Sequence, residues 1–294
     1  VATLRDIKKR IGSTQSTQQI TRTMEMVATA KIKRAQERIE SARPFALAMM
    51  EVLGNVAKFV KGASHPLLET HATRDRVIVI AITSDRGMCG AFNSNILRLT
   101  EQQLAEAREA GATADLIAVG KKAVSYFRYR GIEPLASLRD ISEKPTIADA
   151  RAIASHLIGA YSIGELDGVQ IVFNRFKNVA EQSAEIHDLL PIPQAVVESG
   201  DEEMDSVVPE YLFEPSADSV LERLLPTYVE TLVYRALMES AASEQGARRT
   251  AMKSATDNAN EMITTLTRSY NRARQASITN EIAEIVGGAA ALEE

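Results

Sequence analysis

The residues best suited to chemistry lie in the run Thr83-Ser84-Asp85-Arg86-Gly87-Met88-Cys89-Gly90. It follows a β-branched apolar run, Val77 to Ile82. A glycine-containing turn after a strand is where backbone amides often receive nucleotide phosphates. The run contains no G-x-G-x-x-G, however, and Gly120-Lys121-Lys122 lacks the upstream glycine and the Ser/Thr of a phosphate loop. A tight strand-to-helix turn that needs glycine is therefore the better reading. Arg86 beside Cys89 could lower the thiol pKa, but with no histidine nearby Cys89 reads as a buried structural residue. His65, His71, His156 and His187 are scattered without metal-ligand spacing. Asp85 with Arg86, and Glu281 with Glu284, read as solvated carboxylates or ion pairs. No catalytic constellation emerges.

The elements that must position these residues are of two kinds. In the middle, strand and helix alternate: Val77–Ile82 as strand, 94–110 as helix, Asp115–Val119 as strand, Lys121–Arg130 as helix, 146–163 as helix and Val169–Asn174 as strand. Ser183–Leu190 adds an edge strand that Pro191 and Pro193 end. This alternation predicts a Rossmann-like α/β domain with a mostly parallel sheet.

At the two ends the period changes. Leu4, Ile7, Ile11, Thr14, Gln18, Thr21, Glu25, Ala28, Ile32, Ala35, Ile39, Ala42, Ala46, Met49, Leu53, Val56 and Val60 form one seam of three- and four-residue steps. The polar members fall between Thr14 and Glu25, where Ile20, Met24 and Val27 carry an apolar stripe one position earlier, which predicts a local phase shift. The second seam runs through Met252, Ala255, Ala259, Met262, Leu266, Tyr270, Ala273 and Ser277 and continues into Ile282 and Ile285. A long helix with one apolar stripe needs a partner to bury it, so the two ends are expected to pair as an antiparallel coiled coil. Ser216 is placed to cap the second helix, which at about 1.5 Å per residue is on the order of 100 Å long. Pro44 and Pro226 are expected to bend their helices. The organisation read from this is an N-terminal coiled-coil helix over 1–62, a central α/β domain over 75–193, an acidic loop and return segment over 194–215, and a C-terminal coiled-coil helix over 216–294.

The formal charge of −5 conceals local imbalance. Residues 1–40 hold nine Lys/Arg against four Asp/Glu, and residues 244–280 hold six against three, so both terminal helices are basic. Residues 181–214 hold ten Asp/Glu and no Lys/Arg. Basic arms admit acidic protein surfaces or phosphates as partners. No apolar run reaches the roughly 18 residues that span a bilayer, and the opening Val-Ala-Thr-Leu-Arg lacks a signal-peptide layout. The single cysteine excludes an internal disulfide and fits a reducing compartment.

Three stretches in order resemble the gamma subunit of rotary F-type ATP synthases. They are T-L-R-D-I-K-K-R-I-G-S-T-Q-S-T-Q-Q-I-T-R-T-M-E-M-V-A-T-A-K from Thr3, S-D-R-G-M-C-G-A-F-N from Ser84, and A-R-Q-A-S-I-T-N-E-I-A-E-I-V-G-G-A from Ala273. The last carries the family pattern I-T-x-E-x-x-E-x-x-x-G-A at Ile278, Thr279, Glu281, Glu284, Gly288 and Ala289. The resemblance implies a central rotor stalk inside a ring of three alpha and three beta subunits. It would contact the epsilon subunit and the membrane c-ring and couple proton translocation to ATP synthesis or hydrolysis. Such a chain is not itself an enzyme and binds no cofactor, since ATP, ADP and Mg²⁺ belong to the alpha/beta ring. Met24, Arg274, Gln275, Thr279 and Glu281 match the family's beta-subunit contact and coupling residues, with Thr279 and Glu281 in the segment coupled to Met24. Tyr211, Leu212 and Phe213 match its foot contact with epsilon and the c-ring. The implied location is the cytoplasmic face of the bacterial inner membrane, with the mitochondrial matrix side as the alternative. The chloroplast branch's disulfide-switched insert is absent, since Cys89 stands alone. Two other readings are a coiled-coil nucleic-acid binder and a nucleotide-dependent α/β enzyme with a helical arm; neither accounts for the C-terminal pattern.

Overall fold

A computed structural model describes residues 3–59, 65–71, 73–193 and 216–290. The elements in order are α1 (Leu4–Phe59), β1 (Arg76–Ile82), α2 (Phe92–Glu109), β2 (Thr113–Val119), α3 (Lys121–Tyr129), β3 (Ala136–Leu138), α4 (Ile147–Ser162), β4 (Gly168–Phe176), β5 (Gln182–Leu190) and α5 (Ala217–Ala290). They form two units, residues 1–28 with 249–294, and residues 29–248. Both long helices contribute to both units.

In the larger unit one sheet of order β3-β2-β1-β4-β5 is parallel except for β5, which runs antiparallel to β4. Six of the seven β1 residues are buried, because both faces of this strand are covered. Ile78, Ile80 and Ile82 face α4, the end of α1 and the start of α5, where Leu157, Leu53 and Leu225 close the layer. Val79 and Ala81 face α2 and α3 across Ile96, Leu104 and Phe127. The long helices therefore supply part of one face of the domain. Thr146 starts α4 with a reciprocal capping box: its hydroxyl accepts from the Asp149 amide, and the Asp149 carboxylate accepts from the Thr146 amide.

The expected α/β architecture and long terminal helices are present, and three details differ. β3 is an additional edge strand. Its three residues are too few to show a period of two, and it is identified only by its pairing with β2. The expected phase shift does not occur. Ile20 and Val27 are 60% and 49% exposed, while Thr14, Gln18 and Thr21 keep the seam phase and Thr21 is buried. In the second seam Met262 is 53% exposed, and Ile282 and Ile285 face solvent. Ser216 caps α5 as expected, its hydroxyl accepting from the Ser219 amide at 3.3 Å. Pro44 and Pro226 both lie inside continuous helices.

Candidate functional site

The turn after β1 uses its polar groups on itself. Thr83 Oγ1 donates to the Val119 carbonyl at 2.9 Å and accepts from the Ala123 amide at 2.9 Å. The Lys122 amide donates to the Ser84 carbonyl at 3.2 Å. The Asp85 carboxylate accepts from the amides of Lys121 (3.0 Å), Asp140 (3.0 Å) and Ser142 (3.2 Å). An anion at the start of α3 would have to displace this internal carboxylate. The reading of Asp85 with Arg86 as a solvated pair is therefore corrected: Asp85 clamps two loops at the ends of the parallel strands. Burial pushes its carboxyl up, but these hydrogen bonds outweigh burial and hold it below its ordinary value. Gly120, at φ +91°, allows the close approach, since a Cβ there would lie 2.2 Å from the Thr83 carbonyl oxygen.

Cys89 is buried beneath the same turn, within 3.2 Å of Asn93 Nδ2, and burial raises its thiol pKa. This is the environment of an inert thiol. A segment of α5 seals the turn, and α1 reaches the neighbouring loop beside Ser142. On α5, Arg248 donates to the Gly87 carbonyl at 3.2 Å and pairs at 2.7 Å with Glu244, both side chains being buried. Burial raises the Glu244 pKa, with Arg248 opposing. On α1, Lys31 pairs with Glu143 at 2.7 Å. Sequence reasoning missed this polar face of α5. Its trace was an i,i+4 Glu-Arg pair following the small-residue run Ser240-Ala241-Ala242-Ser243.

The smaller unit is the antiparallel pair of α1 and α5. Thr21 and Thr256 hydroxyls meet at 2.7 Å, Gln18 Nε2 donates to Asn260 Oδ1, and Thr14 Oγ1 approaches Met262 Sδ at 3.9 Å. Each step down α1 is matched by a step up α5. Continued at this register, α1 runs out at Leu4, opposite the turn of α5 that carries Arg274. Arg274, Gln275, Thr279 and Glu281 are exposed on or beyond that last shared turn, together with Ile278, Ile282, Ile285 and Val286. Thr279 Oγ1 donates back to the Gln275 carbonyl at 2.9 Å, and Ser277 Oγ donates to Glu281 at 3.2 Å, so these groups are held on their own helix.

Met24 is half-buried, and the same register places it opposite the turn containing Lys253. It thus lies roughly 30 Å along the pair from Gln275, at about 1.5 Å per residue. The structure groups Arg274, Gln275, Thr279 and Glu281 but does not bring Met24 to them. Tyr211, Leu212, Phe213 and the acidic stretch lie outside the described residues.

Comparison with known proteins converges on one family. A family model described as ATP synthase matches residues 3–292. The ATP synthase gamma chain of Desulforamulus reducens is 52% identical over 293 residues, covering 100% of both chains. A chain from the Tetrahymena thermophila mitochondrial ATP synthase central stalk and c-ring structure superimposes with a TM-score of 0.58 at 29% identity, over 80% of this chain and 99% of that one. A chain of the Euglena gracilis mitochondrial ATP synthase, at 20% identity and TM-score 0.64 over 98% of this chain and 94% of that one, shares the fold. With paired terminal helices, a self-filled α/β turn and a family match from one end to the other, this chain belongs to the ATP synthase gamma chain family.

Proposed function

We propose that this chain is the central rotor stalk of a rotary ATP synthase and carries torque between a proton-driven c-ring and three catalytic beta subunits. The observation that carries the reading is the helical pair itself. A pair of unlike helices has no threefold axis, so three equivalent subunits around it meet three different surfaces. Rotation of such a stalk presents those surfaces in turn and drives each beta site through a different nucleotide affinity. A protein conveys work this way only if its binding free energy differs between the states it selects. The basic balance of residues 1–40 and 244–280 supports contact with acidic loops of a surrounding ring.

Chemistry in this reading belongs to the beta subunits, and ATP, ADP and Mg²⁺ bind the alpha/beta ring. Arg274, Gln275, Thr279 and Glu281 catch the beta subunits near the α5 end, and Met24 touches them farther along. Exposed Ile278, Ile282, Ile285 and Val286 seat in an apolar collar. Epsilon and the c-ring bind with Tyr211, Leu212 and Phe213 among the contacts. Among the described residues no helix is long and apolar enough to cross a membrane, so membrane attachment is through the c-ring, at the cytoplasmic face of the bacterial inner membrane.

Co-expression with alpha and beta subunits tests the assembly. The expected product is a 3:3:1 complex with multi-site ATPase activity that collapses when α5 is truncated before Arg274. A ring that forms and turns over ATP equally well without this chain overturns the proposal.

A further inference from the structure

Two of the four histidines stand on the connection between α1 and β1, and they hold it by opposite kinds of hydrogen bond. Residues 65–71 turn tightly, the Leu68 amide donating to the His65 carbonyl at 2.9 Å and the Glu69 amide to the Pro66 carbonyl at 3.3 Å. Leu67 is buried, and its carbonyl accepts at 2.9 Å from the amide of Ile192, just beyond β5. At one end of this strap the Leu67 amide donates to His65 Nδ1 at 3.2 Å, so that nitrogen carries no proton. At the other end His71 Nδ1 meets Asp167 Oδ1 at 2.7 Å, while Asp167 Oδ2 accepts from the amides of Asp75 (3.0 Å) and Arg76 (2.9 Å). A carboxylate that takes three donors leaves the shared proton on His71. The His71 ring stacks on Tyr161 with centroids 4.8 Å apart, and Tyr161 donates to the Glu69 carbonyl at 2.7 Å.

Proton uptake therefore acts on the two rings with opposite sign. We propose that residues 65–71 are a strap whose closure is bracketed by pH: a protonated His71 tightens it on Asp167, whereas a protonated His65 lets go of Leu67. The charge on His71 faces Asp167 directly, with Glu69, Asp75, Arg74 and Arg76 around the cluster, and Arg76 itself approaches Asp115 at 3.6 Å. An ion pair of this kind holds best on the acid side of histidine's ordinary value, about 6.5, and fades as pH rises. His65 faces Glu222 of α5 and Glu69, but burial outweighs both carboxylates and keeps its pKa below the ordinary value. A histidine depressed in this way stabilises the closed form above about pH 6.5 and loses that stabilisation as pH falls towards its folded value. Both contributions are present together near about pH 6.5. Through Ile192 the strap fixes the exit of β5, and this holds whether or not the chain turns inside a ring.

Amide hydrogen exchange of Ile192 in the full-length chain, expressed as protection relative to an unstructured peptide, reads the opening of the strap. Protection is expected to peak near about pH 6.5 and to fall about threefold or more by about pH 5 and by about pH 8.5, half a pKa unit being a factor of about three. His71→Asn is expected to remove the alkaline fall alone. His65→Asn, whose Oδ1 can still accept from the Leu67 amide, is expected to remove the acid fall alone. Nitrogen chemical shifts of the wild-type rings near neutral pH are expected to show Nδ1 bare in His65 and protonated in His71. The opposite assignment for either ring, or a wild-type profile flat on either side, overturns the inference even if neither variant folds. So does an alkaline fall that survives His71→Asn, or an acid fall that survives His65→Asn, in a folded chain.

Discussion

Asp85 shows how a single residue of this chain differs from its appearance in sequence. Read beside Arg86 it is a surface carboxylate, yet its hydrogen-bond partners Asp140 and Ser142 stand 55 and 57 residues away. No local pattern records such a contact. Because hydrogen bonds hold its folded pKa below the unfolded value near 4, its contribution is fully present above that value. It fades as pH falls through the folded pKa. Glu244 has the opposite sign, its raised pKa favouring the folded state as pH falls. The expected outcome is that Asp85→Asn costs about 1–3 kcal/mol at pH 7 and that its deficit against wild type shrinks below about pH 4. Urea melts across that range measure it, and a pH-independent deficit contradicts it. Met24 poses a different question at the same scale. A lysine there can extend its stem along the half-buried surface and keep its charge in water, so the pair survives while the face shown to the ring changes. Met24→Lys is expected to retain ATP hydrolysis and to lose much of its coupling to proton pumping, measured together in inverted membrane vesicles. Equal loss of both in a normally assembled complex contradicts the role given to Met24.

At the scale of elements, periodicity made most of the structure legible. The apolar run of β1, the helix following each of the first two strands, and nearly every seam position of α1 carry repeats that survive in the fold. The errors share one cause, since a period tells which residues lie on one face but not what covers that face. Ile20 and Val27 looked like a shifted seam, yet a continuous helix holds its phase. Thr21 stays buried and Gln18 half-buried because Thr256 and Asn260 supply partners. Ile282 and Ile285 looked like more seam, but α1 has ended before it reaches them. The polar layer fixes the register of the pair, as a buried polar contact does in other coiled coils. Thr256→Val alone is expected to cost about 1 kcal/mol, because Thr21 loses its cross-helix partner. Thr21→Val with Thr256→Val is expected to recover that loss and to loosen the register. Thermal melts and cross-linking of cysteines placed along the pair measure the two effects. A double variant that keeps one register contradicts the assignment.

For the whole molecule, one chain joins two kinds of order. A mostly parallel sheet closed on both faces packs against the end of α1 and the start of α5, and the helices pair in the smaller unit with apolar and polar layers. The family pattern at Ile278–Ala289 was readable from sequence alone. The sealing of the turn after β1 was not, because Arg248 reaches the Gly87 carbonyl from 161 residues away in the chain. The central claim is that this chain turns inside the ring. Its lone cysteine is buried, whereas Tyr129 is 88% exposed, so Tyr129→Cys provides a single reactive thiol for a bead. In a surface-fixed alpha–beta–gamma complex supplied with ATP, the bead is predicted to rotate in one direction with three stops per turn, one for each beta subunit. A complex that hydrolyses ATP while the bead only fluctuates about a fixed angle would contradict the account.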